Sequence, residues 1–64
     1  MSKLKELRTA QGLSQSKLAA ASGVNVRLIQ DYEQAHKDIN GARAITLYQL
    51  ANALNCKMED LLEL

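Results

Sequence analysis

The sequence predicts an all-α fold, and three observations predict it. The 64 residues include no proline, so nothing in the chain forces a helix interior to break. The chain is 47% apolar, mostly Leu and Ala, the apolar residues that favour helices most. Apolar positions recur at three- and four-residue spacing, between Ser, Asn or Thr at candidate starts and Gly at candidate stops. A chain of this length forms one domain, residues 1–64, with a small aliphatic core. Such a core holds only a few kcal/mol net, on the order of 3–5. Association with a second copy would add to it, and a homodimer is expected.

Five helices are predicted. Helix 1 runs from about Ser2, its N-cap, to Gln11, with Gly12 as the stop. Leu4, Leu7, Arg8 and Gln11 share one face of it. Helix 2 runs from the N-cap Ser14 to about Ser22, with Leu18 and Ala19 inward and Gly23 supplying a left-handed turn. Helix 3 begins after the N-cap Asn25 and ends near Gln34. Residues 35–45 form a loop anchored by Ile39, with one short turn near residues 40–43. Helix 4 is expected to start at Thr46, where Thr46 and Gln49 have capping-box spacing, and Leu47, Leu50, Ala51 and Leu54 form its apolar stripe. Helix 5 spans about Met58 to Glu63, with Met58, Leu61 and Leu62 closing the core.

Two short helices joined by a glycine turn form a helix-turn-helix, here residues 15–34, whose second helix can enter the major groove of DNA. Ala19 allows the close, steep helix crossing that this motif needs. Each helical residue advances about 100°. With Ile29 inward, Leu28, Tyr32 and Glu33 fall on the packed side, while Arg27, Gln30, Asp31 and Gln34 form a polar outer stripe. Arg pairs with guanine, Gln with adenine, and Asp accepts from cytosine. Val26, in the first turn, can touch a thymine methyl. A plain solvated face is the competing reading of that stripe.

Gln15, Ser16 and Lys17 stand at the start of helix 2, where a docked helix-turn-helix crosses the DNA backbone, and are the candidate phosphate clamp. His36 and Lys37 could reach a second phosphate. Simple solvent exposure is the competing reading for Gln15 and His36. Arg8 and Glu33 each put a charge on an otherwise apolar face, and buried charges need partners. They are expected to form an ion pair joining helices 1 and 3.

Net charge is only +1, but it is uneven: residues 1–37 carry six Lys or Arg against three Asp or Glu, and residues 38–64 carry two against four. A basic N-terminal half suits a face turned toward phosphate. Cys56 is the only cysteine, which rules out an internal disulfide, and no His/Cys cluster suggests zinc. A buried core thiol is its expected role. No leader-like or long apolar segment is present, and a cytoplasmic protein without membrane contact is expected.

LKELR near the start, GLSQ before helix 2, LA within it, GV at the turn, I-x-x-YE in helix 3, LANALN and the closing EDLL resemble the lambda-repressor-like (Cro/cI, or Xre-type) helix-turn-helix family across nearly the whole chain. The resemblance implies a compact five-helix domain that binds operator double-stranded DNA, commonly as a dimer on a two-fold site. By that resemblance Gln15 matches the phosphate-binding glutamine. Val26, Arg27 and Asp31 match base-contacting positions, with Gln30 and Gln34 nearby, and Arg8 and Glu33 match the ion pair. Three positions depart from the family pattern. Ser22 replaces an apolar residue, Ala35 a glycine, and Asp31 a neutral or basic residue. Arg27, four residues earlier, could pair with Asp31.

The expected function is a sequence-specific regulator, a repressor, that inserts helix 3 in the major groove. The alternative is a protein-interaction module of antitoxin or anti-repressor type with weak DNA binding, which the low net charge and Asp31 favour. An enzyme is the least expected, because one His, one Cys and no glycine-rich phosphate loop leave no catalytic constellation. No cofactor, metal or small-molecule ligand is implied. Helix 5 with Tyr48, Leu62 and Leu64 is the expected dimer surface.

Overall fold

A computed structural model describes residues 2–64. Four α-helices follow one another: α1 (Lys3–Ala10), α2 (Gln15–Ser22), α3 (Val26–Glu33) and α4 (Ala44–Leu54). Single 3-10 turns at Ile39–Gly41 and Met58–Leu61 complete the described residues, and no strand occurs among them. The all-α expectation holds, with a correction to the count. The expected fifth α-helix is the four-residue 3-10 turn Met58–Leu61. Leu61 is fully buried and Leu62 turns to extended backbone (ψ 140°), so the chain leaves the helical path once Leu61 is seated.

The first three helices start where their caps predict. Ser2 Oγ accepts from the Lys5 N–H at 3.1 Å, Ser14 Oγ from Lys17 at 3.1 Å, and Asn25 Oδ1 from Arg27 at 2.7 Å. Each satisfies a donor that the helix itself leaves without a partner. Gly23 stops α2 at φ 76°, in the left-handed region open to glycine. Ser22 is buried, but its hydroxyl accepts the Val24 N–H at 3.1 Å. The polar group in the turn is thus satisfied.

Helix α4 corrects the expected start. It begins at Ala44, two residues before Thr46, with Arg43 at the N-cap making no side-chain cap bond. Thr46 is buried beside the Leu47–Leu50–Leu54 stripe. Thr46 is the third residue of the helix, not its N-cap, so the Thr46/Gln49 capping box does not form.

Leu4, Leu18, Ile29, Leu50, Leu54 and Leu61 form the fully buried centre, with Val24, Ile39, Leu47 and Ala51 around it. Helix α2 packs on both α3 and α4, and the C-terminal turn closes the far side against α1 and α4. Ile39 anchors the loop after α3, as expected. Cys56 is half-buried against this core, and burial, then the Asp60 carboxylate, push its thiol above the usual range. No described helix is long and apolar enough to cross a membrane.

Ala35, just past α3, has φ 61°. A Cβ in the left-handed region is strained, and glycine removes that strain while loosening the unfolded chain. Ala35→Gly should therefore stabilise the protein by about 0.5–1 kcal/mol. A denaturant titration checks this, and a loss of stability would contradict the assigned conformation.

Candidate nucleic-acid interface

Helix α3 is placed by one ion pair and one apolar edge. Ile29 is fully buried, and Leu28 and Tyr32 pack against the core. At its C-terminal end the Glu33 side chain is only 2% exposed. Its Oε2 accepts from Arg8 Nε at 2.7 Å and its Oε1 from Arg8 Nη2 at 3.0 Å. Arg8 Nη1 also donates to the Leu13 carbonyl at 2.8 Å. The expected helix 1–helix 3 pair is therefore present and bidentate, and it also holds the α1–α2 turn.

Burial pushes the Glu33 carboxyl up. Hydrogen bonds from Arg8 and Gln15, with the charges of Arg8 and Lys5, outweigh this and hold it below the usual Glu range. The Arg8 guanidinium is raised above its ordinary value, mainly by its hydrogen bond to Glu33. A carboxyl depressed on folding stabilises the fold fully above its unfolded pKa, and this is lost as pH falls through the folded value. The loss should thus lie below about pH 4.3, the ordinary Glu value. Melting temperature should fall in that range, and fall less steeply in Glu33→Gln. Identical acid slopes for the two proteins would contradict it.

With Glu33 turned inward, the opposite side of α3 faces out. The Arg27 side chain is 80% exposed and Gln34 is exposed, while Val26 and Gln30 are half-buried. The Asp31 carboxylate is 17% exposed, with Oδ1 3.6 Å from both Arg27 Nε and His36 Nδ1. The Asp31 carbonyl accepts the His36 and Lys37 N–H groups at 2.8 and 3.2 Å. So the Arg27–Asp31 pair is present, and the loop folds back so that His36 also stands over the carboxylate.

At the start of α2, Ser16 and Lys17 are exposed and Gln15 is half-buried. The Lys17 N–H is taken by Ser14 Oγ, which leaves the Gln15 and Ser16 N–H groups as those without a partner inside the helix. Gln15 Nε2 donates to Glu33 Oε1 at 3.0 Å. Nothing local in the sequence signals that bond, because the two residues lie 18 apart.

One residue escaped the sequence reading. Arg43 is exposed at the uncapped start of α4 and borders a shallow groove with Lys37, Leu28 and Tyr32. The misplaced helix start hid it. A basic residue just before an Ala-Ile helix start was the available signal. Among the described residues, no group of His, Cys, Asp and Glu is arranged to hold a metal ion.

A model of the helix-turn-helix family matches residues 4–61, which is nearly all of the chain. The chain belongs to the helix-turn-helix family. It is similar to the restriction-modification controller protein C.AhdI from Aeromonas hydrophila, at 34% identity and a TM-score of 0.80, over 92% of this chain and 85% of that one. No curated protein sequence matches it. Within the Xre/Cro type of helix-turn-helix proteins, α2 and α3 are the motif and the outward stripe of α3 is its exposed face. Membership makes the chain a DNA-binding transcription regulator.

Proposed function

We propose that this helix-turn-helix protein is a cytoplasmic repressor that docks as a homodimer on an inverted repeat, with α3 in the major groove. The observation that carries this reading is the Arg27–Gln34 stripe, presented on a helix whose inner side is fixed by Ile29 and the Arg8–Glu33 pair. Val26, Arg27, Gln30, Asp31 and Gln34 read bases. Gln15, Ser16, Lys17, His36, Lys37 and Arg43 hold phosphates, which set register without carrying sequence information. The Arg27 guanidinium, 3.6 Å from Asp31 Oδ1, lessens the repulsion that Asp31 would offer the DNA. Likeness to C.AhdI, a restriction-modification controller protein, favours a regulator over an enzyme.

Of the expected dimer surface, Leu62 is half-buried against the protein's own core and offers less apolar area than Tyr48. Ile45 and Tyr48, three residues apart on α4, are 53% and 54% exposed, and Leu64 is exposed too. A second copy is the proposed partner for Ile45 and Tyr48.

Lys17, Lys37 and Arg43 give three phosphate-facing cations per protomer. Six per dimer predict a slope of about −5 in log affinity against log salt. Arg27→Ala should weaken binding to the preferred duplex by about 1–3 kcal/mol and relax one base position. Fluorescence anisotropy on preferred and scrambled duplexes checks both. Equal losses on the two duplexes would remove Arg27 from base reading. Weak binding with no preference between the two duplexes would favour the protein-interaction alternative.

A further inference from the structure

We propose that Glu33 is a positioning residue for DNA binding: it aims the Gln15 amide at a backbone phosphate. This rests on the docking reading above. The Glu33 carboxylate is already paired through both oxygens with Arg8, yet it also takes Gln15 Nε2 on Oε1 at 3.0 Å. The ion pair needs no third donor to be complete. The third bond adds to the support of the Glu33 carboxylate, and on the other side it fixes the Gln15 amide.

A carboxylate only accepts hydrogen bonds, so it fixes which end of the amide faces it. The NH2 group turns toward Glu33, because the reverse orientation sets a carbonyl against a carboxylate. One N–H of Gln15 is used in this bond, and the second N–H on the same nitrogen remains. Gln15 is the first residue of α2, and its own main-chain N–H and that of Ser16 have no partner within the helix. Three donors thus share one helix end, with Lys17 exposed beside them. A phosphate oxygen is an acceptor of matching chemistry. A glutamine held in this rotamer has less freedom to lose on docking, which is worth about three- to tenfold in affinity.

The buried pair then has two effects. It ties α1 to α3, and it keeps a phosphate donor of α2 oriented before DNA arrives. Removing the charges while keeping the fold separates the two, because apolar residues of similar volume commonly replace a buried ion pair without loss of stability.

Four proteins make the test: native, Gln15→Ala, the double variant Arg8→Met with Glu33→Met, and the triple variant. Each is titrated by anisotropy with a mixed-sequence duplex of about three helical turns at low salt, since phosphate contacts do not depend on sequence. Thermal melts report the fold. Gln15→Ala is expected to weaken the native protein about three- to tenfold. In the double-variant background it should add less than about twofold. An equal loss in both backgrounds, with native binding intact, overturns the positioning role alone. Failure of the native protein to bind the duplex overturns the docking reading with it. Should the double variant not melt cooperatively, the Gln15 side-chain amide protons of the native protein decide by NMR. One is expected to shift on adding duplex while the other stays on Glu33, and both shifting together overturns the role.

Discussion

Arg8→Ala is expected to destabilise the protein by about 3–5 kcal/mol, because it strands the Glu33 carboxylate in a dry site. That side chain is 2% exposed and takes two of its three hydrogen bonds from Arg8. The same change leaves the Leu13 carbonyl without its 2.8 Å partner, which loosens the turn into α2. A domain of this size holds about 3–10 kcal/mol in total, so the loss removes much or all of its stability. The midpoint should fall by about 4–8 °C for each kcal/mol. A thermal melt measures it directly. Removing both charges is a different experiment: Arg8→Met with Glu33→Met leaves no stranded ion and loses only the bond to the Leu13 carbonyl, so it should melt well above Arg8→Ala. A melt unchanged in Arg8→Ala would mean that the pair does not hold α1 to α3.

Ile45→Glu combined with Tyr48→Glu should convert the protein to a monomer. In a two-fold interface the same patch lies on both sides, so the introduced carboxylates of the two copies are brought together at a cost of several kcal/mol, roughly 2–5. Neither side chain is part of the buried core, and both are more than half exposed, so the fold should survive. Binding to a paired site should drop by about a hundredfold or more, while binding to a half-site changes little. Sedimentation with and without duplex reads the first effect and anisotropy the second. A dimer that persists in the double variant would place the interface elsewhere.

The parts of this molecule that were legible in the sequence are those with local chemistry. Ser2, Ser14 and Asn25 cap their helices through the side-chain oxygens that marked them. Gly23 takes the left-handed conformation that ends α2. Arg8 and Glu33 were legible as a pair because each is the charged misfit on an apolar face. The start of α4 was not legible, since Thr46 and Gln49 have the spacing of a cap while the true N-cap, Arg43, makes no side-chain cap bond that would mark it. The 3-10 form of residues 58–61 was hidden for a similar reason: four residues with one buried Leu carry too little periodicity to distinguish it from an α-turn. In the candidate site, the bond from Gln15 to Glu33 and the place of His36 over Asp31 depend on how helices and loop return to one another. A glutamine at a helix start reads the same in sequence whether it is solvated or held.

Base reading by α3 is tested most directly by selecting bound duplexes from a random DNA pool at near-physiological salt. The expected result is an enriched inverted repeat whose half-sites lie about one helical turn apart, each preferring guanine opposite Arg27. No enrichment, with weak binding that disappears as salt rises, would contradict it and turn the outer face of α3 toward a protein partner.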